Sequence, residues 1–346
     1  MSRVARSLLR HGVLSEDTDP DASLGRPSQL LSVVPGARHA VGIKLTRDTA
    51  YAVGCDLYGT ILSTASARMP SPDADGTVPL EASVAVIGRL LQKLARRLPS
   101  VDCVGISIGG PVTDNARVEA TFLGWHDTDL RSLAEASLGL PVTVSNDVAA
   151  LCREQLWFGA GRTHCNFAVI TVGAGLGFGV VREGKVLERL VDDGYLLAHS
   201  PIDLSGPTCH LGHAGCAAAY LNREDLERRA SIALERPISF HELARLAERR
   251  QPIAVGMINE AAVALGHLVA TCAGALQTDR VVLAGENVAA LTGPRSPMHS
   301  TIADRVGISR GSAPKATLTV TTALHTFDEW AQGAAVVAIQ DVLGAL

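Results

Sequence analysis

Three short stretches hold residues whose types and spacing could do chemistry. In HSPIDLSGPTCHLGHAGC, residues 199–216, the histidines His199, His210 and His213 and the cysteines Cys209 and Cys216 share one loop bearing proline and glycine. Imidazole nitrogen and thiolate sulfur are common zinc ligands, and a closed structural site takes four ligands tetrahedrally. A metal-free loop held by packing, with its histidines solvated, explains the same residues. In PVTVSND, Asn146 and Asp147 end an apolar stretch. A carboxylate there can accept a proton from a hydroxyl attacking phosphorus, or the pair can simply cap the helix that VAALCREQL begins. In TVGAGLGFG, Gly173, Gly175, Gly177 and Gly179 leave bare backbone N–H groups able to cradle a phosphate. A tight hairpin between buried strands is the plainer alternative.

The elements that must position these stretches follow from composition and periodicity. A chain of 346 residues, 47% hydrophobic, can bury a sizeable core, and its length suggests two domains. The net charge of -4 gives no global footprint for nucleic acid or an anionic membrane, so any DNA contact must be local. MSRVARSLLRHG has no long apolar run, and no uninterrupted apolar stretch of roughly 18 residues occurs elsewhere, which points to the cytoplasm. Of seven cysteines most sit in apolar runs, and only Cys209 and Cys216 are expected to be exposed to chemistry.

Residues 3–14 read as a short amphipathic helix with Val4, Leu8 and Leu9 on one face, closed by Gly12. The polar SEDTDPDASLGRPS reads as a loop and QLLSVV as a strand. From Ala40 come strands AVGIKL, TAYAVGCD and ILSTASARM, a helix from Leu80 to Arg97, the strand in VDCVGISIGGPV, a helix from Asp129 to Leu138, and PVTVSND. The order then repeats with NFAVITVG, GFGVVREG, KVLERL, an Ala-rich helix from Ile258 to Leu276, and VVLAGE. Two similar α/β halves imply a duplicated fold with ligands bound in a cleft between them. In the first half the turn equivalent to the glycine run is KLTRD, which has no glycine. Lys44 stands there where a kinase would place a carboxylate to hold magnesium near the phosphates.

FLGWHDTDL, LGLPVTVSNDVAALCREQLWFGAG, VITVGAGLGFGVVREGKV and CHLGHAGC occur in that order. In these motifs, and on to WAQGAAVVAIQ near the end, the chain resembles the ROK family of repressors and sugar kinases. The resemblance implies an α/β, two-domain actin-like ATPase (ribonuclease H-like) fold with a central cleft. It implies a winged helix-turn-helix remnant and linker over 1–37, and a first domain over 38–145 completed by a C-terminal helix at about 331–346. The second domain would span 146–330, with a zinc loop at 199–216. Asp147 would be the general base of a kinase and Asn146 would bond an adjacent sugar hydroxyl. Gly109, Gly110 and His199 would also face the ligand. Thr171, Gly173, Gly175 and Gly177 would be the phosphate positions, whether used or vestigial, and Gly285 the nucleotide end. Structural zinc would rest on His199, Cys209 and Cys216, with Gly212 and Gly215 matching. Leu211 stands at the middle cysteine, so His210, His213 or water would supply the fourth ligand.

The chain also departs from the family pattern. Leu196 and Ala218 replace two sugar-contacting glutamates, and Phe122 replaces an asparagine. Each lost hydrogen-bond partner to a charged group costs on the order of 1.5–3 kcal/mol. KLTRD lacks the Asp-x-Gly-Gly-Thr pattern, and Glu286 follows Gly285 where a second glycine is common, so a nucleotide would be crowded or repelled. The expectation is a sugar-sensing regulator without kinase activity; the alternative is a sugar kinase using ATP and Mg with Asp147 as base. MSRVARSLLRHGVLSE resembles the tail of a recognition helix, and GRPSQLLSVVPGARHAVGIKL the wing strand and linker. A helix-turn-helix needs three packed helices, so DNA is an expected partner only if further helices precede Met1. An ordinary N-terminal helix packed on the domain fits the arginines equally well. The other expected partners are a small carbohydrate-like ligand and further copies of the chain, as a homodimer or homotetramer, with no membrane.

Overall fold

A computed structural model of the chain describes residues 2–18, 29–188, 195–310, 318–323 and 326–345. The chain divides into two compact units, Met1–Glu154 with Phe327–Leu346, and Gln155–Thr326.

The first unit opens with helix α1 (Arg3–Arg10), capped by the Ser2 side chain on Ala5 N–H, and a two-stranded ribbon of β1 (Leu14–Thr18) and β2 (Gln29–Val33). Leu14 pairs with Val33 and Thr18 with Gln29. β1 corrects the sequence reading of a loop: LSEDT has poor strand character, and pairing with β2 overrides it. On α1 the expected apolar face is incomplete, since Val4 is exposed and Leu8 and Leu9 are half-buried.

A five-stranded sheet follows. It comprises β3 (Ala40–Leu45), β4 (Thr49–Cys55), β5 (Ile61–Arg68), β6 (Cys103–Ile108) and β10 (Val142–Asn146), while the short strands β7 (Val112–Thr113), β8 (Arg117–Ala120) and β9 (Trp125–Asp129) form a separate three-stranded sheet. Helices α2 (Leu80–Ala95) and α3 (Leu130–Leu138) belong to the same unit, and α4 (Asp147–Trp157) carries the chain onward. The main sheet has order β10-β6-β3-β4-β5, with β3 antiparallel to β4, β4 antiparallel to β5, and β6 parallel to both β3 and β10. Every residue of β3 and β6 is buried, as strands covered on both faces must be.

One face of this sheet meets the C-terminal helix Phe327–Gly344 at backbone distance. A Cβ on Gly42 would lie 1.8 Å from Ala331 O, and one on Gly105 1.8 Å from Ala334 O. Gly42 and Gly105 are register partners on β3 and β6, so together they form the groove that receives the helix. Ala331, Ala334, Ala335 and Ala338, all fully buried, supply a matching side of small residues. Gly105→Val is therefore expected to overpack this contact, costing about 1–3 kcal/mol and lowering the melting temperature by several degrees. Gly175→Ala, with nothing within 4 Å of the added carbon, is the control and should leave the melt unchanged.

The second unit repeats the pattern. β11 (Phe167–Val172), β12 (Leu176–Arg182), β13 (Lys185–Val186), β14 (Arg280–Ala284) and β15 (Thr319–Thr322) form a sheet of order β13-β12-β11-β14-β15. β11 is antiparallel to β12 and β12 to β13, while β14 is parallel to β11 and β15. The first strand of each five-stranded sheet is central, two hairpin partners extend one side, and two parallel strands extend the other. KVLERL contributes only the two residues of β13 rather than a full strand.

The helices of this unit are α5 (Tyr195–Ala198), α6 (Ala217–Leu221), α7 (Arg223–Ala233), α8 (Phe240–Glu248), α9 (Pro252–Leu276), α10 (Val288–Leu291) and α11 (Pro297–Arg310). α9 begins ahead of the expected Ile258 because Gln251 caps it, accepting from Ala254 N–H at 2.6 Å, with Pro252 in its first turn. Among the described residues α9 is the one helix long and apolar enough to cross a bilayer, and half of that stretch is buried in this unit.

Candidate ligand and metal sites

In the first unit, β10 ends at Asn146 and α4 begins at Asp147. Asn146 Oδ1 accepts from Val148 N–H at 2.8 Å and Ala149 N–H at 3.1 Å, capping the helix, while its Nδ2 donates to Gly110 O at 2.9 Å. The side chain is thereby held at both ends, with one amide hydrogen to spare. Gly110 has φ +97°, and a Cβ there would lie 2.1 Å from Glu119 O, so only glycine fits. Gly109 sits beside the pair: a Cβ on it would be 3.5 Å from both Asp147 Oδ2 and Phe122 Cε1. The residue expected to be polar in a sugar pocket is thus an aromatic ring next to the carboxylate.

Asp147 Oδ1 accepts from Val148 N–H at 2.8 Å, and Asp147 Oδ2 accepts from Lys44 Nζ in an ion pair. Strand alternation puts Lys44 on the same face of β3 as Gly42, the face covered by the C-terminal helix. Its Nζ lies 5.3 Å from the centroid of the Trp330 ring on that helix. Lys44 and Asp147 have only 6% and 15% of their side chains exposed, so the pair is largely removed from water. Arg47, in the same β3–β4 turn, donates to Phe122 O. The sequence singled out Lys44 as a missing carboxylate; its partner, and the role of Trp330, depend on chain segments far apart and have no local signature.

In the second unit, Thr171 is buried on β11 and pairs across the hairpin with Gly177 on β12. Between them the turn is Gly173-Ala174-Gly175, closed by Gly173 N–H on Gly175 O at 3.0 Å. Gly285 follows β14 with φ +103°, and a Cβ there would lie 2.5 Å from Val172 O. Because β14 runs parallel beside β11, this tight bend brings Glu286 to the glycine turn. Its Oε1 accepts from Ala174 N–H at 2.9 Å.

The histidine and cysteine loop is held by bridges Pro201–Cys216 and Thr208–Ala214. Cys209 N–H donates to His213 O at 3.0 Å and Gly212 N–H to Cys209 O at 2.9 Å, a turn that folds His213 back beside Cys209. Leu211, at the tip of that turn, is half-exposed and its position in the metal set is taken over by His213. One ligand atom each from His199, Cys209, His213 and Cys216 lies within 4.8 Å of all the others. The sulfur–nitrogen separations are 3.5 Å for Cys216–His199, 3.7 Å for Cys209–His199 and 3.8 Å for Cys209–His213. A zinc tetrahedron with ordinary bond lengths has sulfur–nitrogen edges of about 3.6 Å. The residues present fit a tetrahedral two-histidine, two-cysteine site.

His210, the other open choice for the fourth ligand, is not among the four converging residues. Its Nδ1 is 2.9 Å from Asp225 Oδ2, and fully buried Asp225 also takes Arg228 at 2.9 Å. Arg228 in turn donates to Thr208 O at 2.8 Å, fastening α7 to the loop. Burial first, then the neighbouring His213 and His210, holds the His199 imidazole below its usual pKa, which favours the neutral ligand form. Burial likewise pushes the Cys216 thiol up. The exposure expected from local composition was wrong: Cys209 and Cys216 are buried and Cys165 is exposed. Ala218, where a glutamate was looked for, is buried on α6; Leu196 lies in α5, and its side chain is outside the described residues.

Two sheets of identical strand order, each hairpin-then-parallel, define a duplicated α/β protein of the actin-like ATPase fold. The chain belongs to the ROK family, whose family model matches residues 40–341. It is 23% identical over 248 residues to the xylose repressor of Bacillus spizizenii, covering 71% of this chain and 64% of that protein. The chain thus spans a little under two thirds of that relative's length. Among solved structures, a ROK hexokinase from Thermus thermophilus superposes with TM-score 0.70 at 25% identity, covering 88% of this chain and 99% of that one. A ROK family transcriptional regulator, a homologue of the Escherichia coli MLC protein, gives TM-score 0.77 at 24% identity over 98% of this chain and 87% of that one.

Proposed function

We propose that this chain is a ROK-type sugar-sensing transcriptional regulator without kinase activity. The observation that carries the reading is the Lys44–Asp147 ion pair. A general base must offer a free carboxylate oxygen to the attacking hydroxyl, and here Oδ2 is bound by an ammonium while Oδ1 is bound by Val148 N–H. The end of β3 and the β3–β4 turn, which ought to help hold magnesium, supply the cations Lys44 and Arg47 in its place.

On this reading a small carbohydrate-like ligand is held by Gly109, Gly110, Asn146 and Asp147, which the hydrogen bond of Asn146 to Gly110 O draws together. Residues 1–37 correspond to part of a winged helix-turn-helix and its linker: α1 and the β1–β2 ribbon have the order of a last helix and its wing. Residues 38–145 with about 331–346, and 146–330, are the two actin-like domains. A winged helix-turn-helix reader packs three helices, and α1 corresponds to one of them. Structural zinc sits on His199, Cys209, His213 and Cys216, where it staples the loop and activates no water. The protein works in the cytoplasm as a homodimer or homotetramer.

A second reading has its own support. Asn146-Asp147, the glycine turn and the likeness to a hexokinase favour a sugar kinase using ATP and Mg, with Asp147 as base and Thr171, Gly173, Gly175, Gly177 and Gly285 on the nucleotide side. One experiment separates the two. Full-length, zinc-loaded protein is assayed for sugar-dependent ATP turnover over a panel of pentoses, hexoses and N-acetylhexosamines, and the same sugars are screened for a rise in melting temperature. The regulator reading expects at least one sugar to stabilise the protein with no turnover. Turnover abolished by Asp147→Asn would establish the kinase and discard the regulator.

A further inference from the structure

Gly173 and Glu286 are complementary in shape as well as adjacent. A Cβ on residue 173 would lie 2.2 Å from Glu286 Oε2, 2.5 Å from its Cδ and 2.7 Å from its Oε1, so the carboxylate lies flat against a position that has no side chain. Oε1 accepts from Ala174 N–H at 2.9 Å and meets Arg223 Nη1 at 3.4 Å. The turn is fastened from its other side too. Gly173 O accepts from Asn287 Nδ2 and from Arg223 N–H, both at 3.3 Å, and Asn287 N–H donates to Val172 O at 3.1 Å. Asn287 is buried, so this fastening is shielded from water.

A backbone N–H at a glycine turn backed by a guanidinium is an anion site, since both donors favour an oxygen carrying charge. Here the anion is a side chain of the same chain. We infer that Glu286 is a built-in occupant of the glycine turn, a carboxylate standing where a phosphate would bind, and that it closes this turn to nucleotides. The occupant is attached, so it needs no translational entropy to bind and is present at high effective concentration. A nucleotide must displace it and then bear its negative charge nearby. Removing the carboxylate leaves Ala174 N–H and Arg223 as an open site for a phosphate group.

The inference rests on the reading that this chain works without ATP, but its test lies wholly in the second unit. Binding of the ATP analogue AMP-PNP with Mg is measured calorimetrically, up to low millimolar concentration, on the full chain, on Glu286→Gly and on the size-preserving Glu286→Gln. Wild type should show no binding, and Glu286→Gly should bind at least about tenfold more tightly than that limit. Glu286→Gln should fall between them, and adding Arg223→Ala to Glu286→Gly should abolish the gain. Wild type binding as well as the variants overturns the inference, as does a folded Glu286→Gln and Glu286→Gly pair that binds no better than wild type. Sugar stabilisation of wild type, read separately, tests the regulator reading and is independent of either outcome.

Discussion

Replacing Cys216 with serine is expected to reduce bound zinc from about one equivalent per chain to a small fraction, with metal affinity falling by about two orders of magnitude or more. The geometry carries the expectation. Cys216 Sγ is 3.5 Å from His199 Nδ1, and Cys216 itself is 1% exposed at the start of α6, so its sulfur is a buried corner of the four-residue set. A serine hydroxyl is shorter and remains protonated, so it replaces neither the reach nor the charge of a thiolate. His213→Ala should act similarly, because that imidazole supplies the corner that Leu211 leaves vacant. His210→Ala should retain the metal, since His210 lies outside the four-residue set. Elemental analysis after dialysis against a weak chelator reads all three. Full metal content in His213→Ala with loss in His210→Ala would reverse the ligand assignment, and metal-free wild type would end it. The fold should respond as well: Cys209 and Cys216 belong to the main core of the second unit, so stripping the metal should expose loop 199–216 to proteolysis ahead of the rest of that unit.

Asp147→Ala is expected to destabilise the protein by about 3–5 kcal/mol, because it leaves the Lys44 ammonium buried without its counter-charge. For a unit of this size that corresponds to a fall of about 6–20 °C in melting temperature. Asp147→Asn, which retains a hydrogen-bond acceptor, should cost less. The double replacement Lys44→Met with Asp147→Leu should recover most of the loss, since two apolar side chains carry no desolvation penalty. The resulting cycle isolates the coupling between the two charges. Were Asp147→Ala to melt within a degree or two of wild type, the ion pair would contribute little, and the carboxylate would be free to serve a substrate hydroxyl. The two predictions concern different units and can be read independently.

The sequence was sufficient for the parts of this protein encoded by local periodicity and turn chemistry. AVGIKL and NFAVITVG are strand-length stretches that are apolar apart from Lys44, Asn166 and Thr171, and the fully buried β3 and β11 are the direct result. The duplication could be read from the repeated order of strands, and the two sheets share one topology. Four ordered motifs pointed to the ROK family, and the glycines at 110, 173 and 285 fall at bends or close approaches where a side chain would collide. Local signals misled where tertiary pairing outweighs composition. LSEDT is too polar to read as a strand until β2 lies beside it, and Cys209 and Cys216, in a loop of glycine and proline, look exposed until they are seen to join the core of the second unit.

What tertiary structure alone decided is which charges meet. Lys44 and Asp147 are 103 residues apart, Ala174 and Glu286 are 112 apart, and nothing local specifies either contact. Both arise because parallel neighbours in a sheet bring the ends of non-consecutive strands to one edge: β3 and β10 flank β6 in the first unit, and β11 lies beside β14 in the second. Which histidine joins the cysteines is likewise a matter of packing: the Cys209–His213 turn folds His213 beside them, while His210 Nδ1 faces Asp225, a buried carboxylate on α7. Sequence spacing fixes which residue types are available within a turn or a loop. Hydrogen-bond and ion-pair partners are set by packing, because a buried charge must find its counterpart wherever the chain brings one.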